Sequence, residues 1–250
     1  MTKGLNTAPY WLDIDEPTLF PDVELALTEP DGLLAVGGDL SIERLCAAYQ
    51  HGIFPWYSDG QPILWWSPNP RAILFLDDLI ISRSLRKVLR NQNYHVTLDT
   101  SFEKVIWNCA QSRKDSNGTW IGDDMQQAYA KLHAAGFAHS VEVWQGDKLF
   151  GGLYGVSLGG AFFGESMFSS QNNGSKIALA YLVAQLKEWG FGFIDSQVYS
   201  EHMGNLGVIN IPRKDFIERL NTETSKPTRM GPWQFTIKSM RTNQQGPSSP

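Results

Sequence analysis

Two carboxylates and an amide stand where the surrounding sequence is apolar. Phe193-Ile194-Asp195-Ser196-Gln197-Val198-Tyr199 reads as a strand, in which alternate side chains share a face and Asp195 and Gln197 fall together. An Asp flanked by Phe and Ile is a poor strand former and costly to desolvate. Glu165 lies in Phe162-Phe163-Gly164-Glu165-Ser166-Met167-Phe168, with no other charge beside it. A carboxylate at the mouth of an apolar pocket can hold an amine or take a proton from one. Leu153, Phe162, Met167 and Phe168 are candidate pocket walls, and Met suits a pocket that accepts several side chains. Plainer readings fit the same pattern: an Asp bonded to a loop at a strand end, an edge Glu facing water, and apolar residues that are simply core.

Basic and aromatic groups cluster elsewhere. From Ser82 to Leu98 the chain carries Arg83, Arg86, Lys87 and Arg90 and no acid. Helical spacing puts Arg83, Arg86 or Lys87, and Arg90 on one face, opposite Leu85, Val88 and Leu89. A solvated basic face is the ordinary explanation. Yet each like-charged pair costs about 0.2–0.5 kcal/mol, a cost that a bound polyanion relieves. Phe54-Pro55-Trp56-Tyr57, Trp65-Trp66 and Thr119-Trp120-Ile121 place indoles in loop-like segments. Bases stack on such rings for about 1–3 kcal/mol each, although core anchoring explains them equally well. Gln171-Asn172-Asn173-Gly174-Ser175-Lys176 precedes a helix, where backbone N–H groups attract anions.

Positioning these groups requires a mixed scaffold. The first 70 residues hold eight of the 13 prolines, which predicts short elements and loops. Ser41 is a predicted N-cap for a helix ending near Gly52. From residue 72 onward the patterns read as a strand (AILFLDDL), a helix (SRSLRKVLR), a strand (YHVTLD) and two helices (SFEKVIWNCA, MQQAYAKLHAAG). Three strands then turn at Gln145-Gly146-Asp147 and Leu158-Gly159-Gly160. A helix ending at Gly190, the Asp195 strand and a last helix (PRKDFIERL) complete the pattern. The prediction is an α+β protein. Residues 1–72 form a small loop-rich domain, 73–222 a larger domain, and 223–250 a polar tail disordered at its end.

The 250 residues are 42% apolar, enough for a core, and the net charge is -5, which taken alone argues against a nucleic-acid partner. That sum hides the acid-free basic helix. Cys46 and Cys109 stand apart without a CxxC context, and the five His form no HxxxH or HxH pair, so no metal is expected. The N-terminus lacks a signal-peptide pattern and no run spans a membrane, so the expectation is a cytoplasmic protein without a membrane contact.

Taken in order, a set of motifs resembles a known family. It comprises Glu29-Pro30-Asp31-Gly32-Leu33-Leu34, Gly37-Gly38-Asp39-Leu40, Gly52-Ile53-Phe54-Pro55-Trp56, Trp65-Trp66-Ser67-Pro68 and Pro70-Arg71. It continues with Ser82-Arg83-Ser84, Thr119-Trp120-Ile121, His139-Ser140-Val141-Glu142, Gly151-Gly152-Leu153-Tyr154-Gly155, Gly164-Glu165-Ser166-Met167-Phe168-Ser169 and Ile194-Asp195-Ser196-Gln197. Together these resemble the bacterial leucyl/phenylalanyl-tRNA–protein transferase family from about Phe20 to Leu220. The resemblance implies a GNAT-like (acetyltransferase-type) larger domain. It implies transfer of Leu, Phe or, less well, Met from aminoacyl-tRNA to the α-amine of proteins that begin with Arg or Lys, creating an N-end rule degradation signal. No cofactor and a monomer are expected.

Carried over by position, the resemblance makes Asp195, Gln197 and Glu165 the catalytic group. Leu153, Phe162, Met167, Leu179 and Ile194 become the aminoacyl pocket. Trp56 and Trp120 hold the terminal adenosine, and Arg83, Lys87 and Arg90 meet the tRNA stem. Asp195 would draw the proton from the acceptor amine or stabilise the developing ammonium, and Glu165 with Asp195 would form a negative subsite for Arg or Lys. Two alternatives stand beside this. Gln171–Lys176 is a degenerate form of the Q-x-x-G-x-G/A loop of CoA-dependent GNAT acyltransferases, with Lys at the last position. A non-catalytic RNA-binding protein is the other.

Overall fold

The computed structural model describes residues 8–91, 93–114 and 121–237. In chain order the strands are β1 (Tyr10–Leu12), β2 (Leu33–Gly37), β3 (Phe54–Pro55), β4 (Leu64–Trp66), β5 (Arg71–Phe75), β6 (His95–Leu98), β7 (Ala138–Gln145), β8 (Lys148–Leu158), β9 (Ala161–Ser169), β10 (Phe193–Gln197) and β11 (Ile209–Ile211). The helices are α1 (Ile42–Gln50), α2 (Arg83–Asn91), α3 (Phe102–Lys114), α4 (Asp123–Ala134), α5 (Gly174–Glu188), α6 (Glu201–Gly204) and α7 (Arg213–Thr224). They build a small sheet ordered β1-β2-β4-β3 and a larger one ordered β11-β5-β10-β9-β8-β7-β6. This is the α+β arrangement expected, a small sheet ahead of a larger mixed one.

Local sequence accounts for much of it. Ser41 caps α1 by accepting from the Arg44 N–H, and Gly52 stops the chain in the left-handed region at φ 74°. Gly146 and Gly159 take positive φ in the two turns of the β7–β8–β9 meander. Gly151 and Gly174 let β8 and the start of α5 touch, since a Cβ on Gly151 would lie 2.4 Å from the Gly174 Cα. The predicted strand after residue 71 is shorter than its apolar run: Leu76–Asp78 turn as a 3-10 helix once the acidic pair arrives. The four strands of the small sheet are too short and too broken by proline to be read individually.

Two apolar clusters cover the faces of the large sheet. One joins the small sheet and α1, α3, α4 and α7 through Leu34, Tyr49, Trp65, Ile106, Tyr129, Phe163 and Phe216. The other holds α2 and α5 through Leu85, Leu89, Val141, Phe162, Leu179, Leu182 and Ile194. Part of the segment read as a polar tail belongs to this second cluster. Trp233 is buried, stacks on His139 at 3.6 Å and donates its backbone N–H to Asp99 at 2.6 Å. A single Trp in a polar stretch has no periodicity to announce it. The end of the tail, and Trp120, lie outside the described residues. Among the described residues no helix is long and apolar enough to cross a membrane.

Candidate active site

The site forms where two neighbouring strands part. β9 and β10 run parallel from Ala161↔Phe193 to Phe163↔Asp195, and there the pairing ends although β9 continues to Ser169. Each strand carries an irregularity at this point. On β9, Gly164 opposes Gly155 and Ser166 opposes Tyr154, so Glu165 is the extra residue of a bulge. On β10, Asp195 opposes Ile73 and Gln197 opposes Ala72, so Ser196 is extra. Gln197 is left-handed at φ 64°. The simple alternation read for this strand breaks at Ser196, because a bulge re-aims the side chain that follows it. The two bulges bring Gln197 Nε2 within 2.8 Å of Glu165 Oε1, to which it donates.

Glu165 is almost fully enclosed. Tyr49 Oη from α1 donates to its Oε1 at 2.7 Å, and Tyr129 Oη from α4 donates to its Oε2 at 2.9 Å. The two phenol oxygens also touch each other. Burial dominates the carboxyl's ionisation and raises its pKa from 4.5 to about 7, against the opposing pull of the Tyr49, Tyr129 and Gln197 donors. Burial and the adjacent carboxylate push both phenols well above their ordinary value.

Asp195 sits differently. Both its oxygens are taken by Arg71, Oδ1 from Nε at 2.9 Å and Oδ2 from Nη2 at 2.7 Å, and neither side chain is exposed. Oδ1 also accepts the backbone N–H of Gln197 at 2.9 Å. Arg71 donates from Nη1 to the Gly52 carbonyl at 3.0 Å and lies between the Phe54 and Phe216 rings, 4.8 and 4.6 Å from their centroids. Asp195 therefore holds the bulge that aims Gln197, and it is absent from the cavity wall. The expectation of two carboxylates making a negative subsite is corrected here: Arg71 compensates one of them.

The cavity at this parting has a volume of about 460 Å³. All five residues read as the aminoacyl pocket line it: Leu153, Phe162, Met167, Leu179 and Ile194. Glu165, Gln197, Phe168 and Trp56 line it as well. Trp56 is 43% exposed and leans on Trp66, whose Nε1 donates to the Trp56 carbonyl. Arg83, Lys87 and Arg90 do not reach the cavity; they lie on the exposed side of α2, away from buried Leu85 and Leu89. Among the described residues no group of three or more His, Cys, Asp or Glu is placed to hold a metal ion. In the Gln171–Lys176 loop the Gly174 and Ser175 N–H groups serve Gln171 O and Ser169 Oγ.

Sequence reasoning missed Arg71, Tyr49 and Tyr129. Arg71 had a signal, a cation opening an apolar strand. The tyrosines had none beyond their place on apolar helix faces.

The family model for leucyl/phenylalanyl-tRNA protein transferase matches residues 73–221, and the model for its N-terminal domain matches residues 38–69. A leucyl/phenylalanyl-tRNA–protein transferase of Hydrogenovibrio crunogenus is 52% identical over 230 residues, 92% of this chain and 90% of that protein. One of Pseudomonas syringae pv. syringae is 55% identical over 209 residues, 84% of this chain and 91% of that protein. Partial likenesses among solved structures include L-PGS from Bacillus licheniformis, with TM-score 0.37 and 15% identity over 66% of this chain and 54% of that one. Another is an aminoglycoside acetyltransferase from a soil metagenome, with TM-score 0.35 and 14% identity over 59% of this chain and 99% of that one.

Two outcomes are expected from the site's energetics. Asp195→Ala leaves a buried guanidinium uncompensated and should lower unfolding free energy by about 3–5 kcal/mol; a denaturant titration showing less than 1 kcal/mol contradicts the ion pair's role. Glu165 ionises near 4.5 in the unfolded chain and near 7 when folded, so its contribution to stability declines between those pH values and stays low above them. Glu165→Gln should gain on wild type across that window, by up to roughly 3 kcal/mol. A stability difference that does not change with pH contradicts the raised ionisation.

Proposed function

The chain belongs to the leucyl/phenylalanyl-tRNA–protein transferase family, an aminoacyltransferase family, and from that premise we propose how and on what it acts. It transfers Leu, Phe or, less well, Met from aminoacyl-tRNA to the α-amine of a protein that begins with Arg or Lys. The product carries an N-end rule degradation signal. In this reading residues 1–72 and 73–222 are the two domains, the larger one GNAT-like. The observation that carries it is the meeting of Glu165 and Gln197 at the head of an apolar cavity.

The chemistry asks little of the protein. An aminoacyl ester is already activated, so placing the amine and moving its proton suffice. An N-terminal amine has a pKa of about 7.7–8.0 and is mostly protonated at pH 7, so it must shed a proton before attack. The aminoacyl side chain lies among Leu153, Phe162, Met167, Leu179 and Ile194, with its ester towards Gln197 and Glu165. Gln197 commits its NH₂ to Glu165, which leaves its carbonyl oxygen to accept a hydrogen bond from the attacking amine. Glu165, with a pKa raised to about 7, exchanges protons near neutrality without a large driving-force mismatch. Asp195 serves as the positioning residue of Gln197, in place of the base that the sequence suggested.

Trp56 offers its partly exposed ring to the terminal adenosine, and Trp120 is retained for it on the family resemblance. Arg83, Lys87 and Arg90 meet the tRNA stem. The preference for Arg or Lys at the acceptor is carried over from the resemblance as well, since the acidic subsite first envisaged loses the charge of Asp195 to Arg71.

The direct test is transfer of labelled Leu or Phe from charged tRNA to an Arg-starting peptide, with a Glu-starting peptide as control. Transfer to the first alone is expected; transfer to neither, or acetylation by acetyl-CoA in its place, overturns the reading. Replacing Arg83, Lys87 and Arg90 by Ala should raise the KM for charged tRNA and leave kcat unchanged. The slope of log affinity against log salt should become shallower by about 0.7–0.9 per charge removed. An unchanged slope places the tRNA elsewhere.

A further inference from the structure

The groups around Glu165 set a proton-counting condition. Three oxygen–oxygen contacts close a ring: Tyr49 Oη to Oε1, Tyr129 Oη to Oε2, and Tyr49 Oη to Tyr129 Oη. Each contact needs one hydrogen between its oxygens. The phenols supply two. An ionised Glu165 supplies none, and one contact is then left as two lone pairs facing each other. A protonated Glu165 supplies the third. The carboxyl O–H then serves one phenol, that phenol serves the other, and the other serves the second carboxyl oxygen. Gln197 Nε2 donates to Oε1 from outside the ring and does not change the count. Tyr49 and Tyr129 are wholly buried and Glu165 is 6% exposed, so bulk water does not supply the missing hydrogen.

We propose that Tyr49, Tyr129 and Glu165 form a closed ring of three shared protons that keeps Glu165 in its acid form at rest, and that the two phenols are positioning residues for aminoacyl transfer. The part of this that concerns transfer rests on the reading of Glu165 as the proton carrier. Reversing the direction of the three hydrogens moves the acid proton from one carboxyl oxygen to the other without moving a heavy atom. During transfer the C–N bond forms and the ester C–O bond breaks. The acceptor ammonium first releases one proton to solvent. The neutral amine then attacks, and Glu165 gives its proton to the departing ribose oxygen and takes the remaining surplus proton from the acceptor nitrogen, so the carboxyl ends as it began.

Other ionisable groups face the ring. Asp195 on β10 favours the acid form of Glu165, although Arg71 on β5 compensates its charge. Tyr154 on β8 packs edge-on against Tyr129, with ring centroids 5.7 Å apart. Cys109 on α3 is buried in the same cluster. α1 and α4 contribute the two phenols themselves.

The ring makes a prediction that two independent donors do not. Separate phenol donors hold a carboxyl's pKa down, so removing one should move its titration up. In the ring, removing one phenol relieves the ionised form of its unfilled contact, so the titration should move down. The carboxylic-acid C=O stretch of the full-length protein, read by infrared difference spectroscopy against Glu165→Gln, follows this titration directly. Wild type is expected to lose the band as the pH rises through about 7. Tyr49→Phe and Tyr129→Phe are each expected to shift the midpoint down by about one pH unit, and a midpoint that rises or stays in place overturns the ring. Two variants guard against one that fails to fold. In the peptide-transfer assay both should lose about tenfold in kcat with the KM for charged tRNA retained. A downward shift with full kcat overturns the positioning role. An upward shift with wild-type transfer intact removes the ring and keeps the function, whereas a downward shift in a protein that transfers nothing removes the function and keeps the ring.

Discussion

The buried pair of Arg71 and Asp195 is the interaction on which the rest of the site depends. Taking two charges out of water costs several kcal/mol per ion, and their attraction repays that only if the geometry is good and the remaining donors are satisfied. Here both conditions are met. The guanidinium meets both carboxylate oxygens, and its third donating nitrogen goes to the Gly52 carbonyl. Its faces lie against Phe54 and Phe216, contacts that suit a planar, delocalised cation. The pair thereby ties together the loop after α1, the first strand of the large sheet, the last helix and the bulge of β10. Because the same carboxylate accepts the Gln197 N–H, the shape of that bulge is set by a charge that never reaches the substrate cavity.

The second carboxylate behaves in the opposite way because its surroundings differ. Glu165 has neutral donors and no cation, so burial decides its ionisation and brings it close to neutrality. The two acids thus divide the work: one is paired with a buried cation and structural, the other protonatable and open to the cavity. The parting of β9 and β10 makes room for both roles, since a continuous ladder there would fill the cavity with backbone.

What the sequence discloses follows from how local each feature is. The helix from Ser41, the meander with its glycine turns and the helix ending at Gly190 depend on caps, turns and periodicity, which neighbouring residues determine. Part of the cavity wall was legible for a similar reason, because Phe162, Met167 and Phe168 flank Glu165 in the chain, whereas Leu179 and Ile194 were named only through the family resemblance. The bulges were not legible. Nothing in Glu165 or Ser196 by itself announces that a strand gains a residue there, and the alternation drawn through Asp195 and Gln197 therefore gave both the same task. The ring of Tyr49, Tyr129 and Glu165 joins residues 80 and 36 positions apart, and each tyrosine reads as core within its own helix. The buried Trp233 is a similar case, specified by His139 and Asp99 across the sheet.

The central claim is that the aminoacyl group lies between the apolar wall and the Glu165–Gln197 pair, with the Arg71–Asp195 pair behind it and out of contact. A structure with a non-hydrolysable 3′-phenylalanyl-amide of adenosine tests this most directly. The phenyl ring is expected among Leu153, Phe162, Leu179 and Ile194, the carbonyl carbon beside Gln197 and Glu165, and the Arg71–Asp195 contacts unchanged. A ligand carbonyl bonded to Asp195, or a phenyl ring seated outside that apolar wall, would contradict it.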